Sequence, residues 1–225
     1  MMATNTVTGV LVCSDGTNVP LKAELAEGTE TNLTTDTAYT VTAQNVGDYA
    51  LGKTVTSALV EGPNGISYAY ILRQGLVATI LPVGVKGAAW QASPLCAPFR
   101  LQAGDIVRCM NSTAASRLAS LSYYTNRGIY RIATVTPSGG ATNELVDLQT
   151  GNSVGDSVQG QTIIKAFCTS VDGNKIETQG AYVVNAKGNV VGSVAMPSPI
   201  VTQPIFQSYN IPVDLNFKAQ FLTNA

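Results

Sequence analysis

The sequence predicts an all-β protein, an antiparallel sandwich or barrel. Short runs rich in Val, Ile, Thr and Tyr recur along all 225 residues, separated by Gly, Asn, Asp and Pro. Several runs alternate apolar and polar residues with a period of two, and no stretch sustains the period of an amphipathic helix. Charged residues make up 12% of the chain, about half the usual share, and Ser, Thr, Asn, Gln, Gly and Ala take their places. No Ser/Gly-rich linker interrupts the pattern. A single sandwich domain over 1–225 is therefore expected, with 83–96 the place for an internal boundary if there is one.

The first strand is placed at 6–13, TVTGVLVC, closed by Asp15-Gly16. Residues 20–27 have a mixed pattern that suits a strand or one helical turn. The polar tract 28–37, GTETNLTTDT, reads as a loop. From Ala38 to Gln44 alternation is clean, with Tyr39, Val41 and Ala43 on one side, so a strand is expected there. Runs 54–61 and 67–73 flank Pro63-Asn64-Gly65, and Asn-Gly between such runs predicts a hairpin. A further strand, 76–82, follows Gln74-Gly75. The least regular stretch, 83–96, contains the only tryptophan, Trp90, and reads as a long cross-over.

Residues 97–136 read as the organising element, an antiparallel meander of runs 104–110, 117–124 and 129–136. That stretch holds Arg100, Arg108, Arg117, Arg127 and Arg131, leaving only Arg73 outside it. Residues 1–72 carry two lysines against seven acids, whereas 73–131 carry six arginines and Lys86 against Asp105 alone. An acidic segment and a basic one on the same chain suit head-to-tail packing of identical subunits, unless folding interleaves them. The five meander arginines are expected at subunit contacts or on a genome-facing surface.

After the meander come strands at 143–149 and 162–171, then a hairpin of 181–186 and 190–195 around Lys187-Gly188-Asn189. Pro197, Pro199, Pro204 and Pro212 mark an extended segment that belongs at a sheet edge. The last strand is expected as one unit over 213–221. Val213, Leu215, Phe217, Ala219 and Phe221 alternate there with Asp214, Asn216, Lys218 and Gln220, which puts Val213, Leu215, Phe217 and Phe221 on the core side of an edge strand.

Catalytic and metal chemistry find little purchase. There is no histidine, which removes the commonest general base, metal ligand and triad partner together. Cys13, Cys96, Cys109 and Cys168 form no CxxC pair, and most sit in apolar runs as small buried hydrophobes do. The Gly/Ser tract 150–161 lacks the GKS/T ending of a phosphate loop. Asp147 and Asp156 flank it and are the one carboxylate pair worth testing for glycoside hydrolysis, though solvated loop acids are the plainer reading. No enzyme, cofactor or metal is expected. The opening MMATNTVTG lacks the charged and apolar regions of a secretion signal, so none is expected.

The uncharged Thr/Ser/Asn loops, LQAGDIV (101–107) entering a strand through a Gly-Asp turn, and the proline-rich 197–212 leading into NIPVDLNFKAQFL give the chain a texture that resembles jelly-roll coat proteins of icosahedral viruses. The resemblance implies a jelly-roll sandwich and a structural, self-assembling capsid or capsid-associated subunit. Its place would be the virion, assembled in the host cytoplasm. Its partners would be copies of itself and other virion proteins, with nucleic acid a weaker expectation, since no basic arm is present. Two alternatives stand beside it: a carbohydrate-binding or adhesin-like sandwich, and a fibre subunit that exchanges a donor strand.

Overall fold

The computed structural model describes residues 5–25, 30–63, 65–85, 91–111, 118–135, 142–171, 181–194 and 205–222. It is an all-β sandwich fold, but the chain divides into two compact units, 1–113 and 114–225, where the sequence suggested one domain. The stretch 83–96 is no boundary, because the strands at its two ends pair with the same neighbour in the first unit. Trp90 lies outside the described residues.

The first unit contains β1 (Asn5–Cys13), β2 (Asn18–Leu25), β3 (Glu30–Thr35), α1 (Val46–Tyr49), β4 (Thr54–Gly62), β5 (Ile66–Arg73), β6 (Leu76–Leu81), β7 (Val83–Val85), β8 (Ser93–Arg100) and β9 (Ile106–Asn111). The second contains β10 (Leu118–Thr125), β11 (Tyr130–Val135), β12 (Thr142–Asp147), α2 (Val154–Ser157), β13 (Gln161–Val171), β14 (Ala181–Val184), β15 (Val190–Val194), β16 (Gln207–Val213) and β17 (Lys218–Leu222). In the first unit strands run β6-β5-β9-β3-β2-β1-β4, with β8 and the short parallel β7 sharing the far side of β4. In the second the order is β15-β14-β17-β12-β11-β10-β13-β16.

Leaving out β7, these two orders are the same path, so the chain is one fold built twice. Matching hydrogen bonds confirm the equivalence. Cys13 N donates to Thr17 O at 2.8 Å as Thr125 N does to Ile129 O at 3.0 Å, and Ser14 N reaches Thr54 O as Asn126 N reaches Thr162 O. Both units bulge at the next step, between Val12 and Cys13 and between Tyr124 and Thr125. The residues echo this: Val46-Gly47-Asp48, Gly52 and Thr54-Val55 recur as Val154-Gly155-Asp156, Gly160 and Thr162-Ile163, and Ala69-Tyr70-Ile71 recurs as Ala181-Tyr182-Val183.

Each unit rolls its strands over one core. In the second, Ala119, Leu121 and Tyr123 of β10, Ile163, Ala166 and Cys168 of β13, Val183 of β14, Val194 of β15 and Ala219 of β17 form one buried cluster. The two ends of its path meet: the place a Cβ would take on Gly192 of β15 is 2.9 Å from the Ile211 side chain of β16. In the first unit Val7, Leu11 and Cys13 of β1, Ile66 to Ile71 of β5 and Val107 and Cys109 of β9 are buried. Burying an aliphatic side chain is worth about 1.5–3 kcal/mol, an upper estimate because the unfolded chain already hides some surface.

A short helix locks each unit. Gly47 N donates to Asp105 O at 3.1 Å and Gly155 N to Phe217 O at 2.9 Å. Approach is so close that a Cβ on Gly47 would lie 2.0 Å from Gln102 O, and one on Gly155 would lie 2.4 Å from Phe217 O. Only glycine fits.

Several expected elements change. The polar tract 28–37 forms β3, with Leu33 and Thr35 buried between β2 and β9, whereas the alternating 38–44 is a loop that leaves Tyr39 and Val41 exposed. Asp36 makes the difference: its side chain accepts from Ala38 N and its carbonyl from Tyr39 N, turning the chain before alternation can act. Asn64 lies outside the described residues, and the runs that flank it, β4 and β5, do not pair as a hairpin. Gly65 N donates to Gly62 O in a tight turn that sends β5 to pair with β6 and β9 instead of β4. The meander 97–136 is cut by the unit division, for β9 pairs with β3 and β5, and β10 with β11 and β13. The expected hairpin at 181–195 is present as β14 and β15.

The tail is corrected too. Residues 213–221 are not one edge strand but the end of β16, a turn, and β17. Asn216 takes φ 68°, and Phe217 N donates to Asp214 O at 3.2 Å, which reverses the chain. Edge strand β16 carries Pro212 opposite Thr162, as a proline at an edge should. In contrast, β17 is interior, paired to β12 and β14. Alternation survives the turn in part: Val213, Phe217 and Ala219 are buried, while Leu215 at the tip is 53% exposed. The backbone of Phe221 pairs with Asn143 and Ala181. Pro197, Pro199 and Pro204 lie outside the described residues.

Candidate interaction surface

The fold pairs three partly exposed arginines with acids brought from other elements. Arg73, at the end of β5, makes a two-pronged bond to Asp105, Nε to Oδ1 at 2.8 Å and Nη2 to Oδ2 at 2.7 Å. Asp105 is fully buried and also accepts from Gln102 N at 2.8 Å. Phe99 lies under the guanidinium at 4.5 Å. Hydrogen bonding to Asp105 holds Arg73 above its ordinary pKa, with burial working the other way.

Arg108 of β9 donates to Asn32 Oδ1 at 2.9 Å and pairs with Glu30 at 3.3 Å, both on β3. The other Glu30 oxygen accepts from Tyr70 OH at 2.7 Å. Burial, then the Glu30 charge or its hydrogen bond, push the Tyr68 and Tyr70 hydroxyls well above the usual tyrosine range. Arg131 of β11 donates to Gln149 Oε1 at 2.6 Å and faces Asp147 at 3.5 Å. Asp147 is buried; its Oδ1 accepts from Gln149 N, Thr150 N and Thr150 Oγ1, closing the turn after β12. Its Oδ2, Arg131 Nε and the buried Tyr123 hydroxyl have no hydrogen-bond partner among the described residues. Asp147 is thus a structural acid, while Asp156 stands exposed on α2.

Arg100 and Arg127 remain exposed and make no ion pair with a described residue. Arg117 lies outside the described residues. By unit, the first carries six cations against eight acids and the second seven against six, so the strong contrast along the chain largely cancels in space. Arg100 borders an open depression lined by Leu51, Gly52, Leu101, Gln102 and Ala103. Cys13, Cys109 and Cys168 are buried and form no disulfide, and burial pushes the thiols of Cys109 and Cys168 up to about 12. Among the described residues no group of three or more Cys, Asp or Glu side chains is placed to hold a metal, and no helix is long and apolar enough to cross a membrane.

Sequence reasoning missed the turn tip at Asp214-Leu215, because alternation assigned Leu215 to a core, and it made nothing of Leu51, which is exposed beside Arg100. The repeated Val-Gly-Asp segment was the available signal that two equivalent turns exist. Comparison with protein-family models, with curated proteins and with solved structures finds no match.

Proposed function

We propose that this chain is a structural subunit that assembles with copies of itself, of the kind that builds a virus coat. One observation carries the reading: a sandwich built twice in one chain leaves apolar side chains exposed on edge strands of both units. Val190 is 60% and Val191 43% exposed on β15, and Leu76 is 59% exposed at the start of β6. Neither strand carries a charge or proline to blunt it, which is how edges that must avoid other chains are usually protected. The low share of charged residues fits sides covered by neighbours. Sedimentation and electron microscopy of the purified full chain test it. Concentration-dependent, regular assemblies are expected. A chain that stays monomeric over the whole accessible concentration and salt range overturns the reading.

A further inference from the structure

Where the two units differ, they differ in a complementary way, and this inference rests on the self-assembly reading above. The turn Leu101–Gly104 of the first unit and Val213–Asn216 of the second are equivalents: Asp105 N donates to Gln102 O and Phe217 N to Asp214 O, both at 3.2 Å. Gly52 N reaches Leu101 O as Gly160 N reaches Val213 O. In the first unit the tip is the small Ala103, and the turn borders the depression walled by Leu51 and Arg100. A Cβ on Gly52 would meet nothing but Arg100 Nη2, at 3.9 Å, so the depression is open there. In the second unit the same tip is Leu215, 53% exposed, beside the exposed Asp214.

The pairing opposite β4 and β13 matches Arg100 to Pro212, and the helix-to-strand segment matches Leu51 to Gln159. Of the two equivalent places, only the first unit's is a cationic, leucine-walled depression and only the second unit's is an acidic, leucine-tipped turn. Arg100 and Asp214 each lack an ion pair with a described residue, and Leu51 and Leu215 are both left in water. We propose that the Asp214–Leu215–Asn216 turn of one copy seats in the Arg100 depression of the next. Such a contact is heterologous. It closes into a ring or runs on as an open array according to the rotation between copies.

Charge exchange tests it on the full chain. Arg100→Asp sets acid against Asp214, and Asp214→Arg sets cation against Arg100. Each alone is expected to weaken association about tenfold or more at low salt, and less at high salt. The double exchange, Arg100→Asp with Asp214→Arg, restores the opposite signs and is expected to recover association to within about threefold of the natural chain, as a coupled pair must. Leu215→Ser should weaken association at every salt concentration. All three sites are exposed, so circular dichroism should be unchanged. If the natural chain associates while both single exchanges associate equally well, or the double is no better than the sum of the singles, the contact is wrong and the assembly reading stands. If the natural chain does not associate, both fall.

Discussion

The two units keep one backbone while burying different chemistry at equivalent places. In the second, Tyr123 pairs across to Arg131, and Ala133 beside it pairs to Asp147. The corresponding residues of the first unit are Leu11, Val19, Leu21 and Thr35, which are buried without a charge. At the other lock the roles reverse: the first unit buries Asp105 with Arg73, and the second places Phe217 and Asn185 there. What stays constant is the glycine in each helix, the left-handed residue in each following turn and the hydrogen bonds that tie the two together. Close backbone packing and strand order therefore define this fold, and the buried ion pairs are local choices that an apolar set replaces. That agrees with the general finding that a buried pair is costly to break but dispensable as a whole.

The comparison breaks most sharply at Asp147. Arg131→Val takes the cation from that buried carboxylate, leaving it the Tyr123 hydroxyl nearby and its turn bonds to Gln149 and Thr150, and a loss of about 3–5 kcal/mol is expected in chemical denaturation. Installing the first-unit residues at the three polar positions, Tyr123→Leu, Arg131→Val and Asp147→Thr, should regain most of it. A triple variant no more stable than Arg131→Val alone would mean that the units are not interchangeable at this place.

Next come the glycines. Gly47→Ala and Gly155→Ala each drive a methyl into backbone atoms, for which overpacking losses of about 1–3 kcal/mol or more apply. The two costs should be alike, since the geometry is alike. A cost in one unit only would show that one helix can back away from its turn.

Alkaline titration separates the units by their tyrosines. Burial and neighbouring acids favour the neutral hydroxyls of Tyr68 and Tyr70 in the first unit and of Tyr123 in the second. Their folded pKa values thus lie above the unfolded value of about 10. The unfolded chain loses those protons first, so their contribution is complete below about pH 10 and is lost as pH rises beyond it. The slope is up to about 1.4 kcal/mol per pH unit for each tyrosine. Phenolate absorbance should show these three ionising only with unfolding. Smooth titration of all nine tyrosines in a folded chain would contradict the burial.

How much of this was legible in the residues depends on range. Strands whose apolar face meets its own hairpin partner, such as 181–184 with 190–194, follow from alternation and the Gly188 turn. Elements defined by distant partners do not. β3 is a polar tract that becomes a strand because β2 and β9 offer it two hydrogen-bonding edges, while Tyr39 and Val41 alternate well and have no edge to join. The arginines illustrate the same limit, since the acids that engage Arg108 and Arg131 lie outside 97–136, on β3 and β12. The period-two pattern of 213–221 looks like one strand because a reversal at Asn216 preserves parity: Val213 and Phe217, on either side of the turn, are both buried.

The smallest expected effect concerns that turn. Gly104 has φ 79° and its equivalent Asn216 has φ 68°, the left-handed region that ordinary side chains avoid at a cost of about 1–2 kcal/mol and that asparagine visits far more readily. No atom lies within 4 Å of where a Cβ on Gly104 would be, so a substitution there is judged by backbone conformation alone. Its amide, which donates to Asp48 Oδ1 at 2.9 Å, is kept by any residue but proline. Gly104→Ala should cost about 1 kcal/mol, whereas Gly104→Asn, which copies the second unit, should cost less than about half of that. Chemical denaturation of the two variants side by side measures the difference. Equal losses would mean that the two turns, alike in hydrogen bonds, do not share their backbone energetics.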